Sequence, residues 1–164
     1  MKKLVLIAVI AVFGLVNVNA QSFKLGVTAG LPAADAADIS SFVLGIDAYY
    51  YFTNIDSFIA IGGTAGFRNF FGDEITVLGQ KVDFDDQQFL PLAVAGRLKL
   101  FGIVNGGADL GYAIGISDAV DGGFYLRPII GIDIADKIEL NVSYETIFDD
   151  ATWGNLNAGI LYQF

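Results

Sequence analysis

The residue types that carry most enzyme chemistry are missing from this chain. It contains no histidine and no cysteine, which removes the usual base of hydrolytic sites and all thiol chemistry. A carboxylate pair is conceivable, either Glu139 with Glu145 or Asp109 with Asp133, and a serine–lysine mechanism is formally open. Structural ion pairs explain the same carboxylates with fewer assumptions. We therefore expect a protein that is not an enzyme and that needs no cofactor.

Two dense acidic clusters are the remaining candidates for binding chemistry, at 83–86 and 149–150. Hard cations such as Ca²⁺ need several oxygen ligands wrapped around the ion, and neither cluster has the spacing of a calcium loop. A solvated acidic rim is the simpler interpretation. The alternative is that these carboxylates hold divalent ions that bridge them to an anionic partner. We predict no dedicated metal site.

The start of the chain has the features of an exported protein. Lys2 and Lys3 precede an apolar stretch at 4–18, and small residues follow it, which is typical of a cleaved signal peptide over 1–20. The mature part, 21–164, suffices for one domain. Without the two leading lysines the net charge of −9 becomes −11, so nucleic acid is a poor partner.

Hydrophobic residues make up 54% of the chain, with a mean hydropathy of +0.58, but they are not arranged as membrane helices. Beyond residue 18, no charge-free apolar run approaches the roughly 18 residues that a membrane helix needs. Apolar residues instead recur at every second position, the period of a β-strand. Eight segments show this period: 22–30, 41–53, 57–68, 89–101, 103–114, 123–134, 138–148 and 154–164.

The connections between these segments alternate in length. Three are tight turns, at 53–56, 101–103 and 135–137, whereas those at 31–40, 69–88, 115–122 and 149–153 are longer and acidic. Short turns on one side and long loops on the other are typical of up-and-down barrels in outer membranes. The predicted fold is therefore all-β, an eight-stranded antiparallel transmembrane β-barrel over 21–164 whose last strand pairs with its first.

The two faces of each predicted strand differ in polarity. In the segment 138–148, Leu140 and Val142 share one face, while Glu139 and Glu145 lie on the other. In a membrane barrel the charged face must point inward, where unpaired charge is costly, and inward glycines such as Gly45 would give these side chains room. The predicted interior charge network has four positive and five negative members: Lys24, Asp47, Arg97, Lys99, Asp109, Arg127, Asp133, Glu139 and Glu145.

Aromatic residues concentrate near both ends of the predicted strands. Two aromatic belts are typical of membrane barrels, because rings favour the bilayer interfaces. One predicted belt contains Phe23, Tyr49, Tyr50, Tyr51, Phe52, Phe58, Phe101, Tyr162 and Phe164, and the other contains Phe67, Phe70, Phe71, Phe89, Tyr112, Phe124, Phe148 and Trp153.

The sequence of the longest loop, 69–88, predicts secondary structure within the loop. Alternating β-branched residues at 74–78 and 80–84 flank Gly79, which predicts a hairpin that continues the third and fourth strands beyond the membrane. Its exposed edges could pair with a surface protein partner. A stiff loop without a partner is the alternative.

The last segment alternates through Leu156, Ala158, Ile160 and Tyr162 and ends on Phe164. With the signal sequence and the eight segments, it resembles the small outer-membrane β-barrel family of Gram-negative bacteria, the group that includes outer-membrane proteins A, X and W. The resemblance implies contact with outer-membrane lipid and lipopolysaccharide, without the anchoring role of a peptidoglycan-binding domain. It also implies that the barrel-assembly machinery recognises an assembly signal consisting of Leu156, Ile160, Tyr162 and Phe164.

Three functions compete at this point. The preferred one is a monomeric structural or surface-interaction barrel whose interior is plugged by side chains, since eight strands leave an interior just wide enough for them. The alternative is transport, either a narrow porin-like ion path or a lateral passage for small apolar molecules. Charged residues interrupt the apolar lining that such a passage would use, which is Val43, Ala93, Ala95 and Ile129. The third is a soluble barrel with its apolar face inside.

Overall fold

The computed structural model describes residues 23–55, 58–77, 80–135 and 137–164. These residues contain ten β-strands and one short 3₁₀ turn, Asp35–Asp38. Within these residues, no helix is long and apolar enough to cross a membrane. The predicted signal peptide, 1–20, lies outside them and stays a prediction. The strands are β1 (Phe23–Ala34), β2 (Ser40–Ile55), β3 (Ile59–Gly72), β4 (Glu74–Val77), β5 (Gln80–Asp83), β6 (Gln87–Leu100), β7 (Val104–Gly115), β8 (Gly122–Ala135), β9 (Ile138–Phe148) and β10 (Thr152–Gln163).

Eight of these strands form a closed antiparallel barrel in the order β1-β10-β9-β8-β7-β6-β3-β2. The pairing of β1 with β10 runs from Lys24 opposite Gln163 to Ala34 opposite Trp153, so the sheet closes on itself. Closure satisfies the backbone hydrogen bonds of both edge strands, which removes the usual liability of a sheet edge. The predicted eight-stranded up-and-down barrel and the pairing of its last strand with its first are confirmed.

The two ends of the barrel differ in the length of their connections. At one end, hereafter the short-turn end, β2–β3, β6–β7 and β8–β9 are joined by short turns, and Phe23 and Phe164 lie together. The opposite end, hereafter the long-loop end, carries the remaining connections. Several strands extend further toward this end than predicted, since β1 reaches Ala34 and β3 reaches Gly72. Backbone pairing continues there beyond the predicted strand ends.

The hairpin within 69–88 is present, as β4 and β5, but it does not continue the barrel strands. It forms a separate two-stranded sheet with Glu74 opposite Asp83. The β3–β6 ladder ends at Phe70 opposite Gln87. Just beyond it, the Gly72 backbone N–H donates to the Asp86 carboxylate at 3.0 Å. The Asp86 side chain thus takes the place of the next backbone acceptor in the ladder. Beyond this point, β4 and β5 pair only with each other.

The outer face of the barrel is apolar and the inner face is polar. Ile46 is 55% exposed, while its neighbour Asp47 is 2% exposed, and Val142 at 50% stands beside Asn141 at 4%. Because side chains alternate across a strand, this contrast repeats around the whole wall. Water-soluble proteins rarely expose a continuous apolar band of this kind.

Aromatic residues occupy both ends, but not all of them face outward as the two-belt prediction required. Five rings of the predicted belts are buried and point inward: Tyr49, Tyr51, Phe70, Phe89 and Trp153. They alternate along their strands with the outward-facing residues, so their side chains point into the barrel. The exposed rings are Phe52, Phe58, Phe101, Tyr162 and Phe164 at the short-turn end, Phe42, Tyr112, Phe124 and Phe148 at the long-loop end, and Tyr144 within β9.

Candidate functional site

The nine charged residues expected inside the barrel all lie on inward strand positions, together with a tenth, Arg68. Most are buried, and Lys99 and Asp133 are the more exposed members. Arg68 was missed because it is the last residue of the predicted third strand, although the alternation from Gly62 and Thr64 leads to it. Its side chain is fully buried. With Arg68 included, the interior holds five positive and five negative side chains: Lys24, Arg68, Arg97, Lys99 and Arg127 against Asp47, Asp109, Asp133, Glu139 and Glu145.

Arg68 joins two carboxylates that come from different sides of the barrel. Its Nε donates to both oxygens of Glu145, at 3.0 and 2.8 Å, and its Nη2 donates to Asp47 Oδ1 at 2.7 Å. Nη1 donates to the backbone carbonyls of Ile46 and Phe67. All three guanidinium nitrogens therefore have acceptors, which is the condition for a buried ion pair to be tolerated.

Arg127 makes a second connection across the interior. Its Nη1 donates to Asp47 Oδ2 at 2.8 Å and to the Tyr49 hydroxyl at 3.2 Å, while its Nε donates to Ser143 Oγ at 2.9 Å. The Arg127–Asp47 pair joins β8 to β2, and Arg68–Glu145 joins β3 to β9. Each pair links strands four positions apart in a ring of eight, so both span the barrel from one wall to the opposite one.

Two tyrosines and a third arginine extend these contacts into one connected group. Tyr49 donates to Asp109 Oδ2 at 2.8 Å, and Arg97 Nη1 donates to Asp109 Oδ1 at 2.7 Å. Tyr125 donates to Glu145 Oε2 at 2.8 Å. We call this group the central network: Asp47, Tyr49, Arg68, Arg97, Asp109, Tyr125, Arg127 and Glu145.

The carboxylates that could have formed catalytic pairs have separate cationic partners. Glu139 binds Lys24 at 2.6 Å, whereas Glu145 belongs to the central network. Asp133 binds Lys99 at 2.7 Å, whereas Asp109 binds Arg97. The arrangement is that of ion pairs holding a barrel interior together.

A polar chamber of about 270 Å³ lies in the interior at the short-turn end. The Lys24–Glu139 and Lys99–Asp133 pairs stand in its wall, and Asn105 donates to Asp133 at 2.8 Å. We call this cavity the short-turn chamber. Its wall consists of Lys24, Tyr51, Phe58, Ile59, Ala60, Arg97, Lys99, Asn105, Asp133, Glu139 and Gln163.

The opposite half of the interior is filled by apolar side chains. The rings of Phe70, Phe89 and Trp153 meet with centroid distances of 5.3 to 5.7 Å. Ala36 and Val120, from two of the long connections, are buried in the same cluster. We call this cluster the aromatic plug: Ala36, Val43, Phe70, Phe89, Ala113, Val120, Tyr125, Ile147 and Trp153.

The apolar residues suggested as a transport lining do not form a continuous surface. Val43 belongs to the aromatic plug, and Ala93 packs against it. Ala95 lies in a different cluster with Tyr49 and Tyr51. Members of the central network lie between the two clusters on the same strands, since Asp47 separates Val43 from Tyr49 along β2.

Several carboxylates at the long-loop end, in the acidic clusters and at Asp35, accept hydrogen bonds from the loop backbone or from a neighbouring side chain. Asp86 accepts from Gly72 N and from Asn69 Nδ2, both at 3.0 Å. Asp149 accepts from Gly122 N at 3.2 Å, and Asp35 accepts from Thr152 N at 2.7 Å. In the part of the chain that the structure covers, no group of three or more acidic side chains is placed to hold a metal ion. These carboxylates therefore help to fix the long connections.

Gly45 should be required to accommodate the Arg68 side chain. A Cβ atom at this position would lie 2.6 Å from Arg68 Nη1 and 2.6 Å from Thr28 Oγ1, and the ion pairs of Arg68 prevent it from moving aside. We expect Gly45→Ala to lower the free energy of unfolding by about 1–3 kcal/mol, measured by urea titration in lipid vesicles. Gly63→Ala is the matched control, because the nearest atom lies 4.0 Å away. Equal effects of the two variants would contradict the explanation.

The fold has counterparts among solved structures. The outer membrane protein Ail of Yersinia pestis, in a phospholipid bilayer nanodisc, is 15% identical, with a TM-score of 0.57 over 86% of this chain and 99% of that one. Ail in complex with the heparin analogue sucrose octasulfate is 14% identical, with a TM-score of 0.53 over 87% and 97% of the chains. Neisserial surface protein A is 12% identical, with a TM-score of 0.55 over 87% and 96%.

No protein-family profile matches the chain, and no curated protein matches its sequence. The structural comparisons therefore define the class at the level of the fold. The chain has the fold of the small eight-stranded outer-membrane β-barrels. The resemblance inferred from the alternating segments is confirmed at this level.

Proposed function

We propose that the protein is an integral outer-membrane barrel with a closed interior that presents an acidic surface at its long-loop end. The observation that carries this proposal is the inverted distribution of polarity, with exposed Ile, Leu and Val around the outside and ten charged residues inside. A barrel in water needs the reverse arrangement, whereas a barrel in lipid needs this one. The outer-membrane fold of the comparison structures supports the same location.

A structural or surface-interaction role fits the interior better than transport does. A solute would have to pass the short-turn chamber, the central network and the aromatic plug in series. Side chains fill the last two, and an eight-stranded barrel has little further width. The porin-like path and the lateral passage both lack a continuous lining, so we do not favour them.

The proposed orientation follows from the connections. In outer-membrane barrels the short turns face the periplasm and the longer loops face the exterior. The signal peptide 1–20 would direct export, and the barrel-assembly machinery would recognise the outward side chains Leu156, Ile160, Tyr162 and Phe164. Three of these residues lie in β10 and all four are exposed, so they would contact machinery or lipid. We propose that the folded barrel is a monomer.

The exterior end would be strongly acidic. Eleven acidic residues lie there against one lysine, Lys81: Asp35, Asp38, Asp73, Glu74, Asp83, Asp85, Asp86, Asp118, Asp121, Asp149 and Asp150. Ail has been solved in complex with a heparin analogue that carries sulfate groups, and is therefore a polyanion. An acidic rim repels such a polyanion. The surface partner of this chain would instead be cationic, whether a protein bound at the β4–β5 hairpin or divalent ions that bridge to lipopolysaccharide.

The effect of an outer-face charge on the free energy of folding should distinguish a membrane barrel from a soluble barrel. Ile130 is 59% exposed near the middle of β8. In lipid, Ile130→Arg should cost about 2–4 kcal/mol of folding free energy, because a cation at the bilayer midplane is poorly solvated. The measurement is urea unfolding in lipid vesicles, with gel migration before and after boiling as a test of folding.

Ala119→Arg is the matched control, because Ala119 is exposed in the long connection between β7 and β8. It should leave the unfolding free energy unchanged, since a loop residue stays in water. If Ile130→Arg had no effect and the wild-type protein were monomeric in plain buffer, the membrane location would be wrong.

A further inference from the structure

A shallow apolar depression crosses the outer wall of the barrel where β1 pairs with β10. Its volume is about 810 Å³, and residues of β8, β9, β10, β1 and β2 line it. Two alanines, Ala29 and Ala158, stand opposite each other in the β1–β10 ladder, and both are exposed on the outer face. Their short side chains form the floor. We call this feature the seam depression.

Larger apolar side chains surround the two alanines. Toward the short-turn end, the next outward pair across the seam is Val27 with Ile160. Toward the long-loop end, it is Leu31 with Leu156. Leu44 on β2 and Val142 on β9 flank the alanines in their own row. These surrounding side chains are 45 to 66% exposed: Val27, Leu31, Leu44, Val142, Leu156 and Ile160.

The width of the seam depression selects a thin occupant. Val27 and Leu31 belong to the outward rows on either side of Ala29, and their Cα atoms are about 13 Å apart for an extended strand. Their side chains narrow this gap, so an α-helix, which is about 10–12 Å across with its side chains, does not reach the floor. A two-fold contact with a second copy would place the depression against itself and leave it unfilled. A single hydrocarbon chain fits between the two rows.

The height of the seam depression in the wall indicates where that chain comes from. Ala29, Ala158 and Val142 lie near the middle of β1, β10 and β9. In the proposed membrane location, this level belongs to the hydrocarbon core, which lipid headgroups do not reach. Of the described residues that line the depression, none is charged. An occupant at this level is therefore recognised by its hydrocarbon part.

We propose that the seam depression binds one acyl chain of a membrane lipid. The inference rests on the proposed membrane location. Lipid tails are as apolar as the wall, so the preference for this position comes from van der Waals packing. A chain in the depression contacts the alanine floor and the rows on both sides, whereas a chain elsewhere on the convex wall contacts one side only. Each contact is weak, but their sum favours the depression.

The test is native mass spectrometry of the folded protein in a nonionic detergent, with dipalmitoylphosphatidylcholine added. The wild type should retain one lipid per barrel. Phosphatidylglycerol with the same chains should be retained equally, because the site recognises the chain and not the headgroup. Dihexanoylphosphatidylcholine, whose chains are short, should not be retained.

Two variants locate the bound lipid. Ala158→Phe should lower the retained fraction about tenfold, because the ring fills the floor and the chain loses roughly ten carbon–carbon contacts. Ala65→Phe is the matched control, since Ala65 faces outward opposite Ala48 in the β2–β3 ladder and does not line the depression. It should retain lipid as the wild type does. Gel migration before and after boiling checks that both variants fold.

A second measurement needs no variant and decides the question if Ala158→Phe does not fold. With ¹³C-labelled alanine methyl groups, a phosphatidylcholine that carries a nitroxide midway along one chain is titrated into the wild type in detergent. The methyl signals of Ala29 and Ala158 should broaden at about one lipid per protein, before those of Ala48 and Ala65. Equal broadening of all four signals would show that lipid contacts the wall without preference.

Three other outcomes would overturn the proposal. Both phenylalanine variants could retain lipid like the wild type, which would place the lipid elsewhere. Phosphatidylglycerol could be retained when phosphatidylcholine is not, which would indicate headgroup recognition. The wild type could form dimers without lipid, which would assign the depression to a second copy. A wild type that is monomeric in plain buffer would instead overturn the membrane location itself, so the two failures are distinguishable.

Discussion

Replacing Arg68 with methionine should lower the free energy of unfolding by about 3–5 kcal/mol, the loss typical when one partner of a buried ion pair is removed. Methionine fills much of the same space, so the change is mainly one of charge. Glu145 would lose the guanidinium that donates to both its oxygens, and Asp47 would lose one of two arginines. Both carboxylates are almost completely buried, so water cannot replace the missing donors.

The measurement is urea unfolding in lipid vesicles, followed by the fluorescence of Trp153, which is the single tryptophan. Lys81→Met is the control, because Lys81 pairs with Glu74 in the exposed hairpin, and such surface pairs contribute about 0–1 kcal/mol. Adding Glu145→Gln to Arg68→Met should recover part of the loss, since it removes one unpaired charge. Similar effects of Arg68→Met and Lys81→Met would show that the central network does not stabilise the barrel.

Truncating Trp153 to alanine should cost about 3–5 kcal/mol, as for other large buried aromatic side chains. Trp153 is 4% exposed and contacts both Phe70 and Phe89, so the change leaves a cavity at the centre of the aromatic plug. In planar bilayers we nevertheless expect no reproducible conductance from either the wild type or this variant. The central network lies in series with the plug and keeps the path closed.

Phe148→Ala is the matched control for the loss of an aromatic ring. Phe148 is 48% exposed on the outer face, so its removal should cost much less than removal of Trp153. Because Trp153→Ala also removes the fluorophore, unfolding is followed by circular dichroism and gel migration. Reproducible wild-type conductance steps that change with Arg97→Ala or Glu145→Ala would overturn the closed interior.

Strand parity explains why most of the fold could be predicted from the sequence. A strand has only two faces, so the alternation of Ile46 with Asp47, or of Glu139 with Leu140, already assigns each side chain to one of them. The alternation of short and long connections then implies antiparallel neighbours. The inward placement of Lys24, Glu139 and the other predicted charges required nothing more than this parity.

The features that were missed lie at the ends of the predicted strands. Arg68, Phe70, Phe89 and Trp153 all have inward parity, but they stand at or beyond the predicted ends of their strands. The strands continue past the apolar band because backbone pairing does not depend on it. Applying the parity to the end residues of the predicted strands gives the fifth interior cation, Arg68, and Phe89, and extending it by one or two residues gives Phe70 and Trp153.

The partners of the interior residues could not be predicted in the same way. Parity gives the face of a side chain but not its height along the barrel axis, which depends on the register of every intervening strand pair. Arg68 and Glu145 are 77 positions apart in the chain. Whether they reach the same height depends on the registers of all the strand pairs between β3 and β9. The burial of Ala36 and Val120 in the plug also depends on loop conformation, for which the sequence has no periodic signal.

The ion pairs between opposite walls also determine when the barrel gains its stability during assembly. Arg127 reaches Asp47 and Arg68 reaches Glu145 only when strands from the two halves of the chain face each other. An open sheet with β1 and β10 still apart would hold these groups without their partners, which is unfavourable. Partly curled intermediates should therefore not accumulate, and closure should be an all-or-none event in which seam pairing and charge neutralisation occur together.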